Sequence, residues 1–328
     1  MGASGSRKRE IKKEEDINSS NKVILEPDYK ILNNGLKCPL IGLGTALIKN
    51  EEDINVVYQS IIDGVRLIDI EPDNEELVGR GINKAINNGI VKRTDLFVVT
   101  KLKLDEKENP ELALRKSLKR LQLEYVDLYL DHWPSCINVN QRDKYILIPV
   151  KDTWEQMEKL VKLKLTKSIG VSNYNVQNLL NILSICKIKP VVNEVEFNPY
   201  LYQKYLKEFC DKENILLFGY NPLVKGEYVD RNLILEKKLD LFEEEKVNFL
   251  KGEYKNSTKG QIILNWHISL GIVPIPGTSK PERMKENLLT LNFKLNKENI
   301  NLLSSFEKEG KQYRFNDGND LFGIDIFE

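Results

Sequence analysis

From Tyr29 onward, short apolar and β-branched runs alternate with longer stretches of helical periodicity. The strand-like runs are LIGLG near 40, RLIDI near 66, LFVVTKL near 96, VDLYLDHW near 126, SIGVSN near 168, VVNEVEF near 191, ILLFGY near 215 and IVPIPG near 272. Between them lie helix-length segments such as NEELVGRGINKAINNG, NPELALRKSLKRL, DTWEQMEKLVKL and TKGQIILNWHISLG, with Asn, Asp or Thr at the start as N-cap residues. Eight βα pairs in strict alternation predict a parallel sheet closed on itself, an α/β fold of the (β/α)8 TIM-barrel type. The NNG sequence at Asn33 to Gly35 predicts a hairpin ahead of the first barrel strand. Residues 1–26 are polar and lack apolar periodicity, so they are predicted to form a disordered tail. Residues 27–328 form one barrel domain with an extended C-terminal tail.

In barrels of this kind the chemistry gathers where strands end and βα loops begin. The polar residues at those ends are Asp69, Lys101, His132, Ser172 with Asn173, Glu194 and Tyr220. The long connections near 134–150 and 222–257 are predicted as loops bordering the pocket or a partner site.

Composition changes this picture only by exclusion. Lys plus Arg balance Asp plus Glu at zero net charge, so no global field draws the chain to nucleic acid. Cys38, Cys136, Cys186 and Cys210 are far apart and form no CxxC or His/Cys cluster, so no disulfide framework or metal site is expected. No apolar run approaches the roughly 20 residues that span a bilayer. The first residues, MGASGS, match an N-myristoylation pattern with Gly2 as acceptor, followed by Arg7, Lys8, Arg9, Lys12 and Lys13. A single acyl chain needs such a second, basic signal for lasting anchorage. The expected location is therefore cytoplasmic, peripheral on membranes where Gly2 is acylated.

Several motifs in order, GVRLID (64–69), SLKRLQLEYVDLYLDHWP (117–134), KSIGVSNYN (167–175), VVNEVEFNPYL (191–201), PERMKEN (281–287) and YRFNDGNDLFGIDIF (313–327), make the chain similar to the NADPH-dependent aldo-keto reductases. The resemblance covers nearly all of the chain from Tyr29 onward. It implies hydride transfer from a nicotinamide to a small carbonyl substrate, with a Tyr giving the proton while Asp, Lys and His tune it. Asp69, Lys101 and His132 match three of those four positions. The fourth is absent. The family places the Tyr five residues after the Asp and an Asn-Glu pair just beyond, whereas here Asp69 runs through Ile70, Glu71, Pro72 and Asp73 directly to Asn74 and Glu75. The loop is shorter by two residues and has no Tyr. Glu71 or Asp73 near Lys101 would favour the charged form and be poor acids. Tyr145 and Tyr313 are alternative hydroxyls that no sequence feature places at the site.

The resemblance also implies a cofactor site for NADP(H). Thr45, Ser172 and Asn173 are contacts near the nicotinamide, Tyr220 stacks on its ring, and Glu194 stands where a Gln usually shares the amide contact. Asn221 and Leu223 continue along the cofactor. Arg283, Glu286 and Asn287 match the adenosine end, where Arg283 suits a 2′-phosphate and Thr278 and Lys280 offer further donors. In the substrate pocket Ala46 and Lys103 replace two customary aromatic residues, and Trp133 is the wall that remains.

Three functions fit these residues. One is a working carbonyl reductase with a displaced proton donor. Another is a pseudoenzyme that holds NADP(H) as a sensor or membrane-anchored scaffold, and a third is a barrel without nucleotide. A purely structural reading of Asp69, Lys101 and His132, as a buried ion pair and a core histidine, stands beside the catalytic one.

Overall fold

The computed structural model describes residues 29–134, 137–138, 141–145, 148–225, 234, 236–237, 239–318 and 327. The predicted tail with Gly2, and Cys136, lie outside the described residues, as does the side chain of Tyr145. The chain opens with a hairpin in which β1 (Tyr29–Ile31) pairs antiparallel with β2 (Lys37–Pro39), turning through Gly35 at φ +86°. Eight parallel strands follow: β3 (Gly42–Gly44), β4 (Leu67–Asp69), β5 (Phe97–Leu102), β6 (Leu128–Asp131), β9 (Ile169–Ser172), β10 (Val192–Glu196), β11 (Leu216–Tyr220) and β12 (Val273–Ile275). They neighbour one another in chain order, and the ring closes where the Gly44 amide donates to the Pro276 carbonyl at 3.0 Å. The expected (β/α)8 barrel is the observed fold.

The hairpin seals the end of the barrel opposite the mouth. Asn33 donates to the carbonyls of Pro190 and Asn214, and Asn34 to the Ser168 hydroxyl, all just ahead of β9, β10 and β11. Successive strand residues face opposite sides. Leu67, Val99, Leu128, Leu130, Val192, Phe218, Val273 and Ile275 share one buried cluster inside the barrel. Ile68, Val98, Tyr129, Ile169, Val171 and Leu217 belong to the cluster that meets the helices.

The helices are α1 (Ile54–Asp63), α2 (Glu75–Asn87), α3 (Pro110–Leu121), α4 (Val150–Lys162), α5 (Val176–Leu183), α6 (Lys204–Lys212), α7 (Glu245–Glu253), α8 (Lys259–Ser269), α9 (Pro281–Leu288) and α10 (Lys297–Leu303). Asn109 and Thr258 cap α3 and α8 as expected, the latter in a reciprocal pair with Gln261. Two other capping expectations fail. α4 begins two residues before Asp152, with Pro149 at the cap position, and the Asn74 side chain does not cap α2. The long connections are also more ordered than expected: α7 lies within 222–257, and a short antiparallel hairpin of β7 (Ile137–Asn138) and β8 (Gln141–Tyr145) follows β6.

Gly79 lets α2 approach α3 closely. A Cβ there would lie 2.6 Å from the Leu121 backbone, so Gly79→Ala is expected to destabilise by about 1–3 kcal/mol despite the better helix propensity of Ala. Urea unfolding of the variant checks this, and an unchanged midpoint would contradict it.

Candidate active site

The inward rows of the barrel become polar at its mouth. Leu67 is followed two residues on by Asp69, Val99 by Lys101, Leu130 by His132, Val192 by Glu194 and Phe218 by Tyr220. Period-two alternation therefore brings the candidates on β4, β5, β6, β10 and β11 to one place.

Lys101 is the centre. Its ammonium meets Asp69 Oδ1 at 2.9 Å and Oδ2 at 3.0 Å, Glu71 Oε1 at 2.9 Å and Glu194 Oε1 at 3.4 Å. The side chains of Lys101, Asp69 and Glu194 are 1%, 5% and 3% exposed, whereas Glu71 is 28% exposed and forms the solvent-facing side of the group. An ammonium has three N–H bonds, and here three carboxylates surround it. Burial opposes the charge on Lys101, but the fields of Asp69, Glu194 and Glu71 hold its pKa well above the usual lysine range. Burial also works against ionised Glu71, yet the attraction of Lys101 leaves its carboxyl below the ordinary carboxylate range. Burial pushes Asp69 up, and pushes Glu194 well up with the charge of Asp69 adding to it. His132 is lowered to about 4 by burial and is a neutral imidazole at neutral pH.

The short loop between β4 and α2 explains how Glu71 reaches Lys101. The Thr45 amide and hydroxyl both donate to the Asp69 carbonyl, at 3.0 and 2.9 Å, and the Glu71 amide donates back to the hydroxyl at 3.3 Å. Asn74, instead of capping α2, donates to the carbonyls of Thr45 at 2.5 Å and Ile48 at 3.3 Å. Glu75 then accepts from the Thr100 hydroxyl at 2.7 Å and from Arg120 at 2.6 Å. Residues 70–74 are thus pinned at both ends. Lys103 pairs with Asp73 at the rim, and Ala46 is half-buried nearby in sequence to Thr45.

On the other side of the mouth, Ser172 donates to the Glu194 carbonyl at 2.9 Å. Asn173, in left-handed backbone at φ +63°, donates to the His132 carbonyl at 3.1 Å and accepts from the Tyr220 hydroxyl at 2.9 Å. This network joins β6, β9, β10 and β11 and holds the Tyr220 ring in one orientation. Asn221 donates to Glu196 at 2.8 Å, and Leu223 packs on the core. Farther along, Thr278 accepts from the Lys280 amide at 3.0 Å ahead of α9, Glu286 accepts from Thr258 at 2.7 Å, and Asn287 is buried. Arg283 and Lys280 are exposed and have no ion-pair partner among the described residues.

Two groups escaped the sequence reading. Glu196 is fully buried, and its carboxylate accepts from Asn221 and from the Phe315 and Asn316 amides at 3.0 Å each, which ties the C-terminal segment to the mouth. It is the next inward position after Glu194, so strand periodicity carried the signal. Lys107 forms a buried ion pair with Asp131 at 2.6 Å and donates to the Trp133 carbonyl, while Tyr174 donates to Asp131 at 2.8 Å. That cluster fixes the chain on either side of His132, and no spacing announced it. Trp133 itself is buried with Leu104, and its ring lies 6.1 Å from that of Phe327. Tyr313, a suggested alternative hydroxyl, packs edge-on against Tyr200 with centroids 5.8 Å apart. Among the described residues no cluster of His, Cys, Asp and Glu is arranged to hold a metal ion.

The comparison with known proteins agrees with this architecture. The model of the Aldo/keto reductase family matches residues 41–308. An NADH-dependent D-xylose reductase of Candida parapsilosis is 34% identical over 90% of this chain and 96% of its own length. Aldose reductase C of Dictyostelium discoideum is 37% identical over 84% of this chain and 88% of its own. Among solved structures, a Bombyx mori aldo-keto reductase in complex with NADP superposes with a TM-score of 0.81 at 32% identity, covering 90% of this chain and 97% of that one. Fold, ordered motifs and relatives agree that the chain belongs to the aldo/keto reductase family.

Proposed function

We propose that this protein binds NADP(H) along its barrel mouth and reduces carbonyl compounds far more slowly than a family member with the proton-donating Tyr. The observation that carries the reading is the carboxylate of Glu71, 2.9 Å from Lys101 Nζ and ionised, in the loop from which the Tyr is missing. An ionised carboxylate has no proton to give.

The residues present fit the cofactor. Arg283 and Lys280, exposed and without ion-pair partners among the described residues, suit a phosphate. The Oε2 atom of Glu194 is buried with no hydrogen-bond partner among the described residues, the kind of acceptor that a ligand amide satisfies. Ser172, Asn173 and Tyr220 supply the orienting network beside it. When bound, the reduced nicotinamide supplies the hydride. The protein's part is then to stabilise an oxyanion and deliver a proton. Lys101 is poorly placed for the first task, because its N–H bonds already face Asp69, Glu71 and Glu194. The surplus negative charge of the cluster also disfavours an oxyanion forming beside it. His132, neutral, retains an N–H with which to orient a carbonyl oxygen. The same excess of negative charge favours the oxidised, cationic nicotinamide, so a role as an NADP⁺-holding sensor is supported beside slow turnover.

Fluorescence titration with NADPH, NADP⁺, NADH and NAD⁺ tests the binding half. Arg283→Ala is expected to weaken NADP(H) by about tenfold to a hundredfold, the value of a charge-assisted phosphate contact, and to leave NAD(H) nearly unchanged. Equal losses for both nucleotide types, or no binding by the unaltered protein, would overturn it.

A further inference from the structure

We propose that Glu194 holds a proton in the nucleotide-free protein and releases it when an oxidised, cationic nicotinamide binds, so that the site distinguishes the two redox states of its cofactor. This rests on the NADP(H)-binding reading above. Three carboxylates converge on one ammonium. Fully ionised, the group would hold a net charge of minus two in a place where Lys101, Asp69 and Glu194 are almost without solvent, and a buried carboxylate in that situation retains a proton. The geometry indicates where it sits. Asp69 has the closer contact with Lys101, through both oxygens, and Glu71 has the ammonium and partial exposure to water. Glu194 has only a 3.4 Å contact and an unpartnered Oε2. Glu194, buried and within the field of the Asp69 charge, is therefore the carboxyl that holds the proton.

The groups that face Glu194 are Asp69 from β4, Glu71 from the following loop, Lys101 from β5 and Tyr220 from β11, and His132 at the end of β6 lies beside Glu71 and Lys101. His132 is neutral and Tyr220 is held as the phenol, so neither supplies the missing positive charge. A cationic nicotinamide does supply it. The O–H bond of Glu194 then breaks, its electron pair stays on the carboxylate, and the proton goes to solvent. The reduced nicotinamide is uncharged and leaves the proton in place. By linkage, NADP⁺ affinity rises up to tenfold per pH unit across the window in which the proton is lost, while NADPH affinity does not. The phosphates are common to both forms, so their own titration cancels in the comparison.

The test has a readout on the nucleotide-free protein and one on binding. Infrared spectroscopy of the apo protein at neutral pH is expected to show the C=O band of a protonated carboxylic acid, absent from Glu194→Gln. Calorimetry of NADP⁺ and NADPH binding, in buffers of different ionisation enthalpy between pH 6 and 9, is expected to show proton release with NADP⁺ alone, abolished in Glu194→Gln. Glu71→Gln, which removes one of the three negative charges at the solvent-facing position, is expected to move the NADP⁺ pH dependence to lower pH, and it serves if the Glu194 variant does not fold. Parallel pH dependence for both nucleotides, or no carboxylic acid band, overturns the inference. If neither nucleotide binds, the binding reading and the redox discrimination both fall, and the infrared band still decides whether the proton is there.

Discussion

Lys101→Met is expected to lower the unfolding free energy by about 3–5 kcal/mol at neutral pH, the cost of leaving buried carboxylates without their counter-charge. The substitution keeps most of the side-chain volume and removes the ammonium on which Asp69, Glu71 and Glu194 converge. The pH dependence separates this cause from a packing defect. Without Lys101 the three carboxyls can be neutralised only by protonation, so the loss should be small near pH 5 and grow as the pH rises to 8. A packing defect would be equally large at both. Glu71→Gln is the control: it removes one charge from a site that has an excess of them, and Glu71 is the most solvated of the three. Its stability should be unchanged or slightly higher. Urea unfolding at pH 5 and pH 8 measures all three proteins, and a Lys101→Met loss under about 1 kcal/mol at pH 8 would show that the cluster is not held together by charge.

The second large effect concerns rate. Two residues inserted after Glu71, with Pro72→Tyr and Glu71→Ala, give the loop the length that the family resemblance implies, place a Tyr five residues after Asp69 and remove the competing carboxylate. A positioned general acid contributes about 10²–10⁴ in rate, or about 3–5 kcal/mol of barrier. Aldehyde-dependent oxidation of NADPH is expected to rise by that factor, with nucleotide affinity little changed because the Ser172, Asn173 and Arg283 region is untouched. If binding persists and the rate does not rise, the missing hydroxyl is not the principal defect. The pocket residues Ala46 and Lys103 would then be the next to change to aromatic ones, since a pocket with Trp133 as its one expected aromatic wall orients a small carbonyl poorly.

Much of this was legible in the chain, for physical reasons. Strands of a barrel reveal themselves because each is a short β-type run between helical segments, and all eight expected runs contain an observed strand. The location of the site followed from the same periodicity: Asp69, Lys101, His132, Glu194 and Tyr220 continue inward-facing rows. What remained hidden depends on loops. Asn74 looked like a helix cap because Asn before a helix usually is one, but in a loop this short the Thr45 and Ile48 carbonyls claim its amide. The expectation that Glu71 would be ionised beside Lys101 agrees with its lowered pKa, yet its role as the third carboxylate on the ammonium required the folded loop. For Glu194 the structure changes the emphasis. Its type suggested an extra negative charge beside the cofactor, while its burial and the charge of Asp69 push its carboxyl well above the usual range. The pairing of Lys107 with Asp131, which crosses from one βα loop to the next strand, has no sequence signal at all.

Single-turnover kinetics decide whether this chain holds NADP(H) but lacks an effective proton donor. Protein saturated with NADPH is mixed rapidly with an excess of a reactive aldehyde, and the first turnover is followed by the loss of nicotinamide absorbance. Typical enzymes turn over at about 10 s⁻¹, and the lack of a general acid lowers this by about 10²–10⁴. The expected result is tight NADPH binding with a first turnover slower than about 0.1 s⁻¹. Oxidation of the bound cofactor at about 10 s⁻¹ would contradict it, and would mean that a group other than the missing Tyr delivers the proton efficiently.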